Sequence, residues 1–223
     1  LVRAPHSTLS STSAAAGSPH RVRLRARPQQ IAADLLGSVG TRLPHTRAVA
    51  HQASWASELL PNPWRSSVVE AAWLHDIGHS PALSSPGFHP LDGARWLRAA
   101  GFREDTCSLA AWHTGAIHEA RERGLADELL LEFAPPPTLA LDALTWADLT
   151  SSPSGGLVSA EVRLDEIMDR SEPGSVVRLA VAAGWQALRG SARRAEHPLG
   201  PRPGAPLARQ GATLSRPSSP GGP

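Results

Sequence analysis

Tyrosine and lysine are absent from the chain, cysteine and methionine occur once each, and phenylalanine occurs only three times among 223 residues. So few aromatic side chains, beside abundant Ala and Leu, disfavour strands and favour helices, and an all-α fold is expected. The solitary Cys107 excludes an intramolecular disulfide and points to a reducing compartment, hence a cytoplasmic protein. No stretch approaches the ~20 apolar residues that a membrane helix needs, which excludes a helical span. Without lysine all 22 basic residues are arginine, a bias that, with the many Ala, Gly and Pro, reflects GC-rich coding more than chemistry. It also inflates the pI of 9.8, because little besides Cys107 and the terminal amine titrates between histidine and arginine. The formal net charge is only +2.

The charge is unevenly placed. Residues 1–33 hold five Arg and no acid, residues 190–223 hold five Arg against Glu196 alone, and residues 34–189 hold 12 Arg against 19 acids, a net of −7. An acidic centre between basic ends argues against a nucleic-acid groove, whose footprint would be a basic face. It is compatible with a metal site that contains carboxylates. Residues 1–28 and 191–223 are rich in Ser, Pro, Gly and Arg without apolar periodicity, so both are expected to be disordered, leaving one helical domain at 29–190. The Ser, Ala and Arg-rich start has no apolar run and is not a secretory signal; opening on Leu, it reads as a truncated or misassigned start.

Within 29–190 the helix punctuation is legible. A helix is expected from about Arg42 to Leu59, with His45, Val49, Gln52 and Ala56 on one face and Pro61 and Pro63 beyond it. Ser67-Val-Val-Glu70 reads as a capping box opening the run Val68 to Ile77, which Gly78 ends. Pro90 suits the first turn of a helix closed by Gly101, Asp105 is placed to cap a helix running through His113, and Gly124 ends a further short one. Helices are also expected at Thr138 to Leu149, Ser159 to Arg170 and Ser175 to Leu188. Every candidate ligand then lies on a helix or at its end, in a bundle whose interior can host a metal.

His75-Asp76 follows the apolar run Val68 to Leu74 and precedes Ile77-Gly78, so an ionisable pair lands at the inner end of a buried helix. That placement is costly without a partner. A satisfied helix-end hydrogen-bond pair is one solution and a divalent metal is the other, since neutral imidazole and carboxylate both ligate. Upstream stands His45-Thr-Arg-Ala-Val49-Ala50, and far downstream Trp146-Ala147-Asp148. In that order, His-x3-Val-Ala, Ala72-Trp-Leu-His75-Asp76-Ile-Gly78 and Ala-Asp148 resemble the HD-domain superfamily of metal-dependent phosphohydrolases over about residues 41–150. The resemblance, closest to HD-domain proteins of actinobacteria, supplies no substrate. It implies a compact helical bundle in which His45, His75, Asp76 and Asp148 hold a divalent metal, one of Mn, Fe, Co or Mg.

The phrases His89-Pro-Leu-Asp-Gly93-Ala94 and Trp112-His113-Thr114-Gly115 are similar to strings in two-metal members of that superfamily, including symmetrical diadenosine tetraphosphatase-type enzymes. By that likeness Asp76 bridges two ions, and His89 and His113 complete the second site. There are departures. The basic residues such enzymes carry after the His-Thr-Gly string and near the last Asp are replaced here by Ala116-Ile117-His118 and by Leu149-Thr-Ser-Ser-Pro-Ser-Gly-Gly156. Arg47, Arg95 and Arg98 are candidates to meet a phosphate, although solvated helix faces are the ordinary place for such residues. The activity expected is hydrolysis of a phosphate ester or anhydride of a nucleotide or related small molecule by metal-activated water. Asp76 is the central catalytic carboxylate, and His79 or His118 the proton donor to the leaving oxygen. The competing reading is a non-catalytic, metal-stabilised module that binds a nucleotide signal or a partner protein.

Overall fold

The computed structural model describes residues 27–199, so the segments 1–26 and 200–223, expected to be disordered, lie outside the described residues. Among the described residues the only β pairing is an isolated bridge between Ser151 and Leu157, and everything else regular is helical, as the shortage of aromatic residues implied. The helices are α1 (Pro28–Leu36), α2 (Arg42–Ser57), α3 (Asn62–Leu74), α4 (His89–Ala99), α5 (Glu104–Trp112), α6 (Ala116–Arg123), α7 (Ala126–Glu132), α8 (Thr138–Leu149), α9 (Ala160–Arg170) and α10 (Val176–Leu199). Short 3₁₀ turns at Ile77–His79 and His113–Gly115 follow α3 and α5. No helix among the described residues is long and apolar enough to cross a membrane.

Two apolar clusters divide the interior. One gathers Val49 and Ala53 of α2, Val68 and Ala72 of α3, Leu144 and Trp146 of α8, Leu164 of α9 and Leu188 of α10. The other gathers Ile31, Leu74, Ile77, Phe88, Leu91, Leu97, Leu129 and Phe133 from α1, the end of α3, α4 and the α7 region. Helix α3 feeds both, and Trp73 packs against each. The end of α3 is therefore the seam of the molecule, and His75-Asp76 stands on it. The alanines facing across α2 and α3 let these helices approach closely, which sets how tightly that seam closes.

The expected boundaries at Arg42, Gly101, Gly124, Thr138 to Leu149 and Ser159 agree with the structure. The capping box does not. Helix α3 begins at Asn62 with proline in its first turn, and Ser67 is buried well inside the helix without capping it. The prolines stop α2 and also start α3, because the first-turn amide that proline lacks has no helical partner anyway. Arg65 seals the turn between them by donating to the carbonyls of Leu60 at 2.8 Å and Glu58 at 3.0 Å. Asp105 likewise sits inside the first turn of α5, and Arg103 is the N-cap.

Neither α1 nor α7 was expected from the sequence, and α10 runs on to Leu199 although the sequence placed the start of the tail at 191. The extension has a tertiary cause. Asp142 on α8, nearly fully buried, accepts from Ser191 Oγ at 2.5 Å and from both Nε and Nη2 of Arg194 at 2.7 and 2.8 Å. Ala192 and Ala195 bury the same face.

Candidate metal centre

Four segments carry histidine and aspartate to the seam, and in each the local sequence explains the aim. His45 lies one turn into α2, and its Nδ1 meets the carbonyl of Ser152 at 3.3 Å. The loop that supplies this carbonyl needs Gly155, whose φ of +87° is left-handed and whose Cβ would lie 3.0 Å from the Pro44 carbonyl oxygen. His75 ends α3, fully buried, and its Nδ1–H donates to the Ala72 carbonyl at 2.9 Å. His113 ends α5 and donates from Nδ1 to the Ala110 carbonyl at 2.6 Å. In His75 and His113 this leaves Nε2 as an inward lone pair, while Nε2 of His45 is turned to Asp148.

Asp76 is the common neighbour. Its Oδ1 lies 3.6 Å from His75 Nε2, 3.6 Å from His79 Nε2 and 3.7 Å from His89 Nε2, while Oδ2 accepts from Arg42 at 3.0 Å. His45 Nε2 lies 2.9 Å from Asp148 Oδ1, and Thr114 Oγ1 donates to Asp148 Oδ2. Thr114 adopts φ +44°, an uncommon conformation for a β-branched residue, at the point where its hydroxyl must reach Asp148. His89 Nε2 faces His113 Nε2 at 3.2 Å.

His89 reaches this cluster through two glycines. A Cβ on Gly78 would fall 2.0 Å from the His89 carbonyl oxygen and 2.8 Å from the Gly93 nitrogen, and a Cβ on Gly93 would fall 3.2 Å from the Gly78 nitrogen. The Ile77-Gly78 and Asp92-Gly93 pairs of the sequence are thus the two sides of one backbone contact that seats α4 on the turn after α3.

The residues suit a divalent cation. Ligand atoms of His45, His75 and Asp76, of His75, His113 and Asp148, and of Asp76, His89 and His113 form groups within 4.8 Å of one another. His75 Nε2 and His79 Nε2 are buried without a hydrogen-bond partner. An imidazole lone pair beside a carboxylate oxygen presents electrons to electrons, and a cation between them resolves the conflict. Electrostatics agree. Although burial resists its charge, Asp76 is held well below the usual carboxylate range by His75, Arg42, His79 and His89. Burial keeps His79 (pushed down to about 4), His89 and His113 neutral, the state in which imidazole ligates. His45 is raised, because its hydrogen bond and charge interaction with Asp148 outweigh burial.

The cluster forms the floor of a cleft of about 380 Å³. His45, Asp76, His79, His89, His113 and Asp148 line it, and His75 lies just beneath, fully buried. His118 does not line it; the ring packs against α10 at Gly184, where a Cβ would lie 2.7 Å from its Cδ2. The arginines named from the sequence are elsewhere too: Arg47 is exposed, Arg95 pairs with Glu128 and Glu132, and Arg98 pairs with Glu104. The cleft has its own arginines, Arg42, Arg123, Arg163 and Arg170, which the sequence reading did not single out.

A family model described as HD domain matches residues 42–152. Neither the curated proteins nor the solved structures gave a match. The matched span opens on Arg42, the partner of Asp76, and closes on Ser152, whose carbonyl holds His45. With His45, His75, Asp76 and Asp148 in that order inside the span, the chain belongs to the HD-domain superfamily.

Proposed function

We propose that this chain is a metal-dependent phosphohydrolase that cleaves a phosphate ester or anhydride of a nucleotide or related small molecule by attack of water. The observation that carries this reading is the convergence of His45, His75, Asp76 and Asp148 around an unpartnered, fully buried imidazole nitrogen on the floor of an open cleft. These four residues would hold the first ion, and Asp76 with His89 and His113 a second. Divalent ions in such sites acidify water to a nucleophile at neutral pH and neutralise charge on phosphoryl oxygens.

The chain's own groups do the rest. The carbonyls of Ser152, Ala72 and Ala110 fix three imidazoles, so little reorganisation accompanies loading. Arg42 holds Asp76 from the side away from the histidines, and Thr114 holds Asp148. In the reaction the oxygen of water bonds to phosphorus, the bond to the leaving oxygen breaks, and that oxygen takes up a proton. We assign that proton transfer to His79, whose ring lines the cleft beside Asp76. Held neutral at pH 7, it would first take up the proton released by the attacking water and then pass that proton to the leaving oxygen. His118, outside the cleft, has no part in this step.

The test is metal analysis of the purified chain followed by a panel of nucleotides and simple phosphate esters assayed with Mn²⁺, Fe²⁺, Co²⁺ and Mg²⁺. Metal-dependent release of phosphate from one class is expected. Bound metal without turnover on any of them would leave the binding-module reading standing instead.

A further inference from the structure

Arg163 and Arg170 stand seven residues apart on α9, with Ile167 between them, so the helix presents a guanidinium, an aliphatic chain and a second guanidinium to the cleft. The acids of the cleft are already engaged. Asp76 is bound by Arg42, Glu119 by Arg123 at 2.7 Å, and Asp148 by His45 and Thr114. Arg163, only 5% exposed, has a single ion pair, to Glu166, which does not line the cleft, and Arg170 forms no ion pair among the described residues. Burial and then the charge of Arg163 push Arg170 below its ordinary range, with Arg42 adding to the push and Glu166 and Asp148 opposing it. Residues 34–189 are acidic overall, yet they place Arg170 without an ion pair beside the His/Asp cluster, where the charge of Arg163 is also felt at His45. An anion in the cleft would give Arg170 the partner it lacks. Val177, Val181 and Leu188 of α10, the helix packed against α9, add apolar lining to the same cleft.

We propose that Arg163 and Arg170 form a subsite for a second phosphoryl group, joined to the one that meets the His/Asp cluster, so that the substrate class is a compact diphosphate with its organic part against Ile167, Val177, Val181 and Leu188. The proposal rests on the phosphohydrolase reading for the position of the first phosphoryl. Guanidinium groups suit this task because each can bind phosphate oxygens bidentately. A cleft of about 380 Å³ lies near the small end of ligand sites, which suits one nucleoside diphosphate and not two nucleosides bridged by a longer chain.

The test titrates the Mn²⁺-loaded full chain with methylenediphosphonate, whose P–C–P bridge resists hydrolysis, and with methylphosphonate, and compares kcat/KM for a nucleoside diphosphate and its monophosphate. The diphosphonate should bind about ten-fold more tightly, and Arg170→Gln should abolish most of that preference with metal content and circular dichroism unchanged. Arg163→Gln should act in the same direction; because Arg163 is buried, the exposed Arg170 is the primary variant and decides the matter if Arg163→Gln unfolds. Equal affinity of the wild type for the two phosphonates, or a preference that survives Arg170→Gln, overturns the subsite. A preference that is present and lost in the variant, with no turnover of either nucleotide, upholds the subsite and overturns the phosphohydrolase reading.

Discussion

The inner and outer halves of the histidine cluster are held in different ways. His45, His75 and His113 each turn Nδ1 to a main-chain carbonyl, at 3.3, 2.9 and 2.6 Å, and all three are buried. His79 and His89 have no such carbonyl. They stack on each other with ring centroids 3.9 Å apart and 17° between planes, and their side chains keep 26% and 20% exposure. A ring fixed by a carbonyl has its tautomer and direction set before an ion arrives, whereas stacked rings orient only each other. The inner three rings are therefore preorganised, the outer two are adjustable, and Asp76 lies against both groups.

Removing that shared neighbour has the largest expected effect. Asp76→Ala should strip metal from both halves and lower turnover by several orders of magnitude while the helical circular dichroism persists. Full activity without this carboxylate would end the mechanism, and unfolding of the variant would assign the ion a structural role. The halves are then separated by comparing His75→Ala with His89→Ala. Loss of the inner imidazole should empty the site, while loss of the outer one should retain an ion, with activity reduced by about 10–100-fold. Equal metal content in the two variants, measured by mass spectrometry, would erase the distinction.

Gly78→Ala disturbs the outer half through the backbone alone. Its Cβ would overlap the His89 carbonyl, so α4 must shift and carry His89 with it. A stability loss of about 1–3 kcal/mol is expected from denaturant melts, with metal loss confined to the outer ion; unchanged metal content and stability would show that the contact yields easily.

The smallest expected effect is on pH dependence. Burial, first in each case, lowers His79 to about 4 and pushes His89 and His113 below their ordinary 6.5, so the folded chain holds them neutral while the unfolded chain protonates them. Their contribution to stability is complete above pH 6.5 and is lost as pH falls toward the folded values. His45 works in the opposite sense: it is raised, so its contribution is present below pH 6.5 and lost as pH rises through its folded value. With these three rings and His118, which burial also lowers, against His45, the melting temperature of the chelator-treated chain should fall from pH 7 to pH 5. A rise on acidification would mean that the His45–Asp148 pair dominates.

The convergence of His45, His75, Asp76 and Asp148 was legible in the sequence because each member of this candidate ligand set sits in a short phrase whose local structure is nearly self-contained: a helix start at His45, a helix end at His75-Asp76 and another at Asp148. The same phrases misled where proline has two uses, so that Ser67 was read as a cap while Pro61 and Pro63 were already opening α3. Arg163 and Arg170 were not legible. Acids and arginines alternate along α9 and nothing local marks which of them meet the cleft, and His118, expected as a proton donor, lies outside it.

The sequence by itself determined that the chain is helical, where most of the helices break, and which histidines and aspartates are brought together, since helical propensity, glycine and proline punctuation and the ligand phrases all act over a few residues. Only the tertiary structure decided what surrounds them. Asp142 extended α10 past residue 191 by binding Ser191 and Arg194 from another helix, α9 turned two arginines toward the cleft, and Gly184 drew His118 out of it. These outcomes depend on which faces of distant helices meet, and no local pattern of apolar or charged residues carries that information.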